Sequence, residues 1–164
     1  MQSIKKDHVV LVMLFAVSTA VSYLIYFKYQ ENIIEEEYKN ALAVNTVENY
    51  NDYLINNNNT KYMVDIIYYR DKKAFENAKE IDTFESYQAF IDNYPQSSWI
   101  SNVVYHRDRT ALERAKKDRT LKSIVNFLNT YPKSGWLPQA NYYLRHQFGF
   151  NDLSEAEYYL PNYN

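Results

Sequence analysis

The chain has 164 residues with no cysteine, two glycines, four prolines and a formal net charge of −2 at pH 7. This length accommodates one domain plus an anchor, and the absence of cysteine excludes disulfides, thiolate metal sites and a cysteine nucleophile. So few glycines exclude a turn-rich β architecture and a phosphate-binding loop, and the charge provides no broad basic surface for nucleic acid.

Residues 9–27 form an apolar run without a charged side chain, VVLVMLFAVSTAVSYLIYF. At about 1.5 Å per residue, a helix of this length extends roughly 28 Å, which is close to the thickness of the bilayer hydrocarbon core. Tyr23, Tyr26 and Phe27 stand at its C-terminal end, where aromatic side chains favour the membrane interface. The run predicts a transmembrane helix that contacts the lipid bilayer, preceded by residues 1–8 and followed by a connecting helix over 28–45.

A cleaved signal peptide is the alternative to a membrane anchor. The run is longer than a typical signal-peptide core, and no small-residue cleavage site follows it, so an uncleaved signal anchor is favoured. Lys5 and Lys6 precede the run, whereas Lys28 and then Glu31 and residues 35–37, all glutamate, follow it. The positive-inside rule predicts a single-pass inner-membrane protein with its N-terminus in the cytoplasm and the remainder on the periplasmic or intermembrane side.

Beyond the anchor, a pattern recurs with a spacing of 37 residues. Matching segments begin at Thr46, Thr83 and Thr120. The same spacing aligns four further sets: Ala41, Ala78 and Ala115; Tyr53, Phe90 and Phe127; Tyr62, Trp99 and Trp136; Tyr68, Tyr105 and Tyr142. This periodicity predicts a repeat architecture over residues 46–148, with copies at 46–82, 83–119 and 120–148 and a tail at 149–164.

Within each copy, the apolar spacing predicts a helix of about ten residues, a corner of about four and a second helix of about twenty. The pairs Asp82/Glu85 and Asn45/Glu48 are typical of capping boxes at the start of the first helix. Ser97 or Ser98 is placed to cap the second helix. In the first copy, residues 57–60 read Asn-Asn-Asn-Thr, which predicts a longer or looser corner.

The segments Tyr87-Gln-Ala-Phe-Ile-Asp-Asn-Tyr-Pro-Gln-Ser97 and Ile124-Val-Asn-Phe-Leu-Asn-Thr-Tyr-Pro-Lys-Ser134 carry a resemblance. They resemble the signature of tetratricopeptide-like helical-repeat proteins of the exported bacterial kind, over residues 38–148. The resemblance implies an all-α fold, a short α-solenoid of about three helix hairpins and a role in protein–protein interaction. The period of 37 departs from the roughly 34 residues of the standard repeat, so the standard superhelix geometry does not carry over.

No residue pattern indicates catalysis or metal binding. His8, His106 and His146 lack the spacing of metal ligands, and the glutamates at 35–37 point in different directions around a helix. The prediction is therefore a non-enzymatic protein with no cofactor, no metal, no nucleic acid and no small-molecule substrate.

Arg70-Asp71 and Arg107-Asp108 recur in register. Two interpretations stay open for these arginines: a charged ridge that binds a partner, or salt bridges between copies.

Trp99 and Trp136 are residue types that often dominate binding interfaces, yet their fixed repeat positions favour packing between copies. Tyr158, Tyr159 and Tyr163 belong to no copy, so the tail would dock either on the last copy or on another subunit. Together with Arg70 and Arg107, these residues are the candidates for partner binding.

The sequence favours a membrane-anchored scaffold or assembly protein that presents its repeats to other proteins, membrane-complex subunits or peptide and helix ligands among them. The alternative is a small accessory structural subunit of a larger membrane complex, respiratory or secretory.

Overall fold

The computed structural model describes residues 2–162, with side chains described for residues 6–161. No β-strand occurs within residues 2–162, which confirms the predicted all-α class. The helices are α1 (Gln2–Val44), α2 (Val47–Asn56), α3 (Met63–Ile81), α4 (Phe84–Asn93), α5 (Ile100–Asp118), α6 (Leu121–Thr130), α7 (Leu137–Tyr143), a π-helical turn (Leu144–Phe148), α8 (Leu153–Tyr159) and a 3₁₀ turn (Leu160–Asn162).

The chain divides into two compact units, one up to Tyr69 and one from Arg70 onward, with the boundary inside α3. We refer to them as the N-terminal and C-terminal units. Each has an apolar core of its own.

The N-terminal unit contains a helix that is long and apolar enough to cross a membrane. From residue 6 to residue 29 every side chain of α1 is exposed. The hydroxyls of Ser18 and Thr19 donate to the backbone oxygens of Phe15 and Ala16, both at 2.9 Å, so these polar groups are satisfied within the helix. The helix then continues without a break to Val44.

The core of the N-terminal unit forms where the end of α1 packs against α2 and α3. Tyr50, Tyr53 and Ile66 are buried there with Ala41. The ring of Tyr38 stacks on Tyr62 at 4.1 Å. Aromatic burial of this kind is a large stabilising term per side chain.

The C-terminal unit has two apolar clusters. The first joins the end of α3 to α4 and α5 through Phe75, Tyr87, Phe90 and Val103. The second joins α5, α6, α7 and the tail. Its buried residues are Leu112, Ala115, Leu121, Ile124, Val125, Phe127, Leu128, Ala140, Leu144, Phe150 and Ala156. The tail therefore docks within its own chain, because α8 packs on α6 and buries Ala156 completely.

The three ten-residue helices match the predicted length, but their caps differ from the prediction. Thr46, Thr83 and Thr120 are the N-caps, and each hydroxyl accepts from the backbone N–H three residues later at 3.1–3.2 Å. The predicted capping residues Asn45 and Asp82 lie one position earlier.

Asn45 and Asp82 have left-handed backbones, with φ of 53° and 52°, as does Arg119 at 55°. A left-handed residue ends the preceding helix, so it cannot also have the extended backbone of an N-cap. The Asp82 carboxylate instead accepts a hydrogen bond from the Tyr87 hydroxyl at 2.6 Å and pairs with Arg109. Burial, followed by the Asp82 contact, raises the pKa of Tyr87 to about 12, so this hydroxyl stays a donor at neutral pH.

The corners between paired helices span six residues each, 57–62, 94–99 and 131–136, rather than four. The first corner was predicted to be longer or looser than the other two. It is not longer, because all three have six residues. It differs in conformation instead, because Asn59 has a φ of 65°. In the second corner the Ser97 hydroxyl accepts from the Trp99 N–H at 3.2 Å, three residues before the start of α5. The N-cap of α5 is Trp99, so the prediction of Ser97 or Ser98 as the cap is wrong.

Contacts recur with the spacing seen in the sequence. Tyr38 meets Tyr53 with ring centroids 6.3 Å apart and an interplanar angle of 64°. Phe75 and Phe90, each 37 residues later, meet at 6.2 Å and 64°. This contact therefore has the same geometry in each unit, whereas another equivalent contact differs: Tyr38–Tyr62 lies at 4.1 Å and 10°, and Phe75–Trp99 at 5.7 Å and 36°.

Candidate protein-interaction surface

A groove in the N-terminal unit, here the N-terminal groove, lies between the end of α1 and α2 and has a volume of about 180 Å³. Its lining is dominated by amide and carboxylate side chains. The residues are Glu37, Asn40, Ala41, Asn49, Asp52, Tyr53, Asn56 and Asn57. At one edge, Asn57 Nδ2 donates to Glu37 Oε2 at 2.6 Å, which links the corner after α2 to α1.

A second groove, here the C-terminal groove, lies between α5 and α6 and has a volume of about 320 Å³. It is lined by Phe84, Ala111, Arg114, Ala115, Asp118, Ser123, Asn126, Phe127, Thr130 and Tyr131. Ala115 and Phe127 are buried at its floor, whereas Asn126 and Thr130 are exposed at its rim.

The two grooves are built from corresponding positions. Every lining residue of the N-terminal groove has a counterpart two spacings of 37 later in the C-terminal groove. Small Ala41 and Ala115 correspond, and so do the buried rings of Tyr53 and Phe127. A small residue facing an aromatic floor leaves a depression between paired helices, so the sequence pattern itself produces the concavity.

The grooves differ in charge. Arg114 occupies the position that Asn40 has in the N-terminal groove. Its guanidinium donates to Glu85 Oε1 at 2.8 Å and lies 5.5 Å from the Phe84 ring centroid. The hydrogen bond from Arg114 holds the pKa of Glu85 below its usual value, so the pair stays ionised at neutral pH. Arg114 and Asp118 therefore give the C-terminal groove one charge of each sign, whereas Glu37 and Asp52 give the N-terminal groove two carboxylates.

Arg70 and Arg107 are held in packed positions. Arg107 Nη2 donates to Asp108 Oδ1 at 2.7 Å, and its guanidinium lies 5.3 Å from the Tyr131 ring centroid. Arg70 makes the equivalent contacts with Asp71 and Tyr94. The two arginine side chains are 20% and 17% exposed, so they are engaged in contacts between helices and do not form an open ridge. Partner binding by these arginines stays a prediction that their burial disfavours.

The two tryptophans lie at helix junctions of the C-terminal unit. The Trp99 ring is 5.7 Å from that of Phe75. Trp136 packs 4.9 Å from Tyr105, and its Nε1–H donates to the Tyr105 backbone oxygen at 3.0 Å. Both are half-buried and link a corner to the preceding long helix. These contacts are those of packing residues.

The tail tyrosines differ in how far their rings are exposed. Tyr158 is 76% exposed, whereas Tyr159 packs against Phe150 at 5.8 Å. Tyr163 lies outside the described residues. Of the three candidates, Tyr158 presents the most open ring.

Tyr105 and Tyr142 are two exposed aromatic residues that were not chosen as candidates from the sequence. They are 47% and 64% exposed, and they lie 37 residues apart. The sequence feature that could have identified them is the alignment of Tyr68, Tyr105 and Tyr142. A tyrosine that recurs at one helical position can mark an exposed position as well as a core position.

The described residues contain no group of three or more histidine, cysteine or acidic side chains placed to hold a metal ion. The arrangement suits binding of a polypeptide, because amide, hydroxyl and carboxylate groups at a groove rim can exchange hydrogen bonds with backbone groups. Compared with protein-family models, curated proteins and solved structures, the chain gives no significant match.

Proposed function

We propose that this protein is a membrane-anchored, non-enzymatic scaffold that holds other proteins on helical repeats. In this proposal the apolar part of α1 crosses an inner membrane, with the N-terminus in the cytoplasm. The helix pairs after it form a short tetratricopeptide-like α-solenoid on the periplasmic or intermembrane side.

The observation that carries the proposal is the recurrence of the same groove in both units. A groove repeated at equal sequence positions is a set of similar docking sites, and such surfaces typically receive a helix or an extended peptide.

An accessory subunit of a larger membrane complex is the second candidate. The exposed tyrosines Tyr105, Tyr142 and Tyr158 favour it, because tyrosine is enriched where permanent interfaces bury their central contacts. The two roles differ in stoichiometry: a scaffold binds and releases its partners, whereas a subunit remains in an assembly of fixed composition.

The test is site-specific photo-crosslinking in the membrane of the full chain. A crosslinking residue replaces Asp52 or Asn126, which are exposed rim residues at corresponding positions of the two grooves. Matched controls carry it at Gln96 and Lys133, which are exposed at corners.

The proposal expects protein adducts from Asp52 and Asn126 that are absent from the two corner positions. The crosslinking residue is also placed at Tyr142 and Tyr158, which are exposed. Adducts from these two positions only, recovered at fixed stoichiometry in mild detergent, would support the accessory-subunit role instead. Equal crosslinking from groove and corner positions would contradict both grooves as docking sites.

A further inference from the structure

A third groove lies in the N-terminal unit where the apolar run of α1 ends. It has a volume of about 220 Å³ and we call it the exit groove. One wall comes from α1 and the other from the corner between α2 and α3. Its lining residues are Phe27, Gln30, Glu31, Ile34, Asn59, Thr60, Lys61 and Tyr62.

The position of the exit groove follows from the continuity of α1. Phe27 is the last residue of the apolar run and is 60% exposed. Gln30, one turn further, is the first residue of α1 after the run that is partly buried. The corner therefore lies beside α1 within about one to two helical turns, roughly 5–10 Å, of the end of the run. In a membrane this depth is that of the lipid headgroups.

The groove has an apolar floor and a charged rim. Lys28 Nζ lies 3.0 Å from one oxygen of Glu31, and Lys61 Nζ lies 3.5 Å from the other. The hydrogen bond and charge of Lys28, followed by the charge of Lys61, lower the pKa of Glu31, so this carboxylate is ionised at neutral pH. Their order in space is cation, anion, cation.

The Lys61 ammonium keeps donor capacity. Charge-assisted N–H···O bonds are commonly about 2.7–2.9 Å long, so the 3.5 Å separation from Glu31 is a loose contact. Lys61 also lies 4.9 Å from the Tyr62 ring centroid, which steadies the side chain at the rim. An ammonium has three donors, and this one is held beside the groove with room for an anionic acceptor.

We propose that the exit groove seats the headgroup of one phospholipid, with its phosphate at Lys61. The proposal rests on the membrane anchor of the proposed function. Lys28 already pairs closely with Glu31 at 3.0 Å, whereas Lys61 contacts Glu31 only loosely at 3.5 Å, so Lys61 is the cation of the rim that can meet a phosphate. The seated lipid would fix the corner, and with it α2 and α3, against the membrane surface.

The absence of native cysteine permits a clean labelling experiment on the full chain in phosphatidylcholine vesicles. A fluorophore is attached at Asn59→Cys, and vesicles contain lipid with a nitroxide on the headgroup. The control is Ala43→Cys, which is exposed on the same unit and lies about 24 Å beyond Phe27 along α1. Insertion of the helix is measured separately, by resistance to alkaline extraction.

The proposal expects severalfold stronger quenching of the label at position 59 than at position 43. It also expects Lys61→Met to reduce the quenching at position 59. Lys39→Met is the matched control and leaves it unchanged, because Lys39 pairs with Glu35 and Glu36 away from the groove.

Equal quenching at positions 59 and 43 in an inserted protein would overturn the exit-groove proposal while leaving the anchor intact. Unchanged quenching in Lys61→Met would overturn the lysine–phosphate contact that defines the site. Release of the protein by alkali would overturn the anchor and the groove together.

Discussion

His106 lies among aromatic rings inside the C-terminal unit. Its ring is 5.5 Å from Tyr87 and 5.6 Å from Phe75, and Tyr105 is 5.8 Å away. Its buried Nδ1 has no hydrogen-bond partner within the described part of the chain. Burial is the main cause that lowers the pKa of His106, and the nearby cations Arg109 and Lys79 add to it, whereas Asp82 opposes it.

The lowered pKa of His106 predicts that acid destabilises the C-terminal unit. Because the unfolded state binds a proton near pH 6.5 and the folded state binds it only at lower pH, the free energy of unfolding falls as the pH drops below about 6.5. Tryptophan fluorescence reports the transition, since Trp99 and Trp136 both lie in the C-terminal unit.

His106→Tyr is the matched variant, because Tyr69 and Tyr143 occupy the same position of the pattern. We expect it to remove the loss of stability between about pH 7 and pH 5. The losses at lower pH remain, because they come from carboxylates such as Asp82 and Glu85, whose pKa values are lowered by their partners. An unchanged pH profile in the variant would contradict the assignment.

Asp108 is a buried carboxylate, 2% exposed, that accepts from the guanidinium of Arg107. Removing one partner of such a pair leaves a partly buried charge without compensation. We expect Asp108→Ala to lower the free energy of unfolding by about 2–3 kcal/mol. Chemical denaturation in detergent, followed by tryptophan fluorescence, measures this change.

Asp118→Ala is the control for Asp108, because Asp118 is exposed at the end of the same helix. A surface substitution of this kind is expected to change stability by no more than about 0.5 kcal/mol. Equal effects of the two variants would mean that the buried ion pair does not stabilise the unit.

At the scale of the element, the junction between a long helix and the next short one has a left-handed residue. Arg119 ends α5 with a φ of 55° and is exposed. Glycine adopts this conformation without the steric cost of a Cβ. We therefore expect Arg119→Gly to raise the free energy of unfolding by about 1 kcal/mol, measured as above.

Lys117→Gly, two residues earlier, is expected to lower the free energy of unfolding, which is the opposite of the effect of Arg119→Gly. This exposed position lies inside α5, where glycine costs about 1 kcal/mol relative to a good helix former. If Arg119→Gly also lowered the free energy of unfolding, the left-handed backbone of Arg119 would not have a steric cost that glycine relieves.

The elements also show which helix signals are readable in a single sequence. The threonines at positions 46, 83 and 120 marked the start of each short helix, because the apolar period begins directly after them. The prediction that Asn45 and Asp82 are the caps is wrong because Asn and Asp favour two different positions. They are common N-caps, and they also adopt the left-handed backbone that ends a helix. Composition alone does not separate these two uses.

At the scale of the whole molecule, the apolar run leads to a prediction about topology. Single cysteines at Asp7 and Gln96, both exposed, flank the run on opposite sides. In intact cells expressing the full chain, a membrane-impermeant maleimide is expected to label Gln96→Cys directly. Asp7→Cys is expected to react only after the membrane is opened. The reverse pattern would mean that the positive-inside signal of Lys5 and Lys6 does not set the orientation.

The sequence by itself determined the helical class, the apolar run and the spacing of 37, because all three are periodic properties of side-chain type. It placed Tyr53, Phe90 and Phe127 together as equivalent core positions, and they are buried alike. It did not identify the buried Leu112 as part of the α5 face, since leucine occupies that position in only one copy.

The tertiary structure decided which polar and aromatic residues remain accessible. The sequence left Arg107 open between a partner-binding ridge and a salt bridge, and its carboxylate and ring neighbours bury most of it. The sequence aligned Tyr142 with Tyr68 and Tyr105, and the fold leaves it exposed. The grooves also depended on the fold, because each one is formed by two helices whose lining residues are separated in sequence. Periodicity specifies which face of a helix is apolar, but the distance between neighbouring helices specifies which side chains are covered.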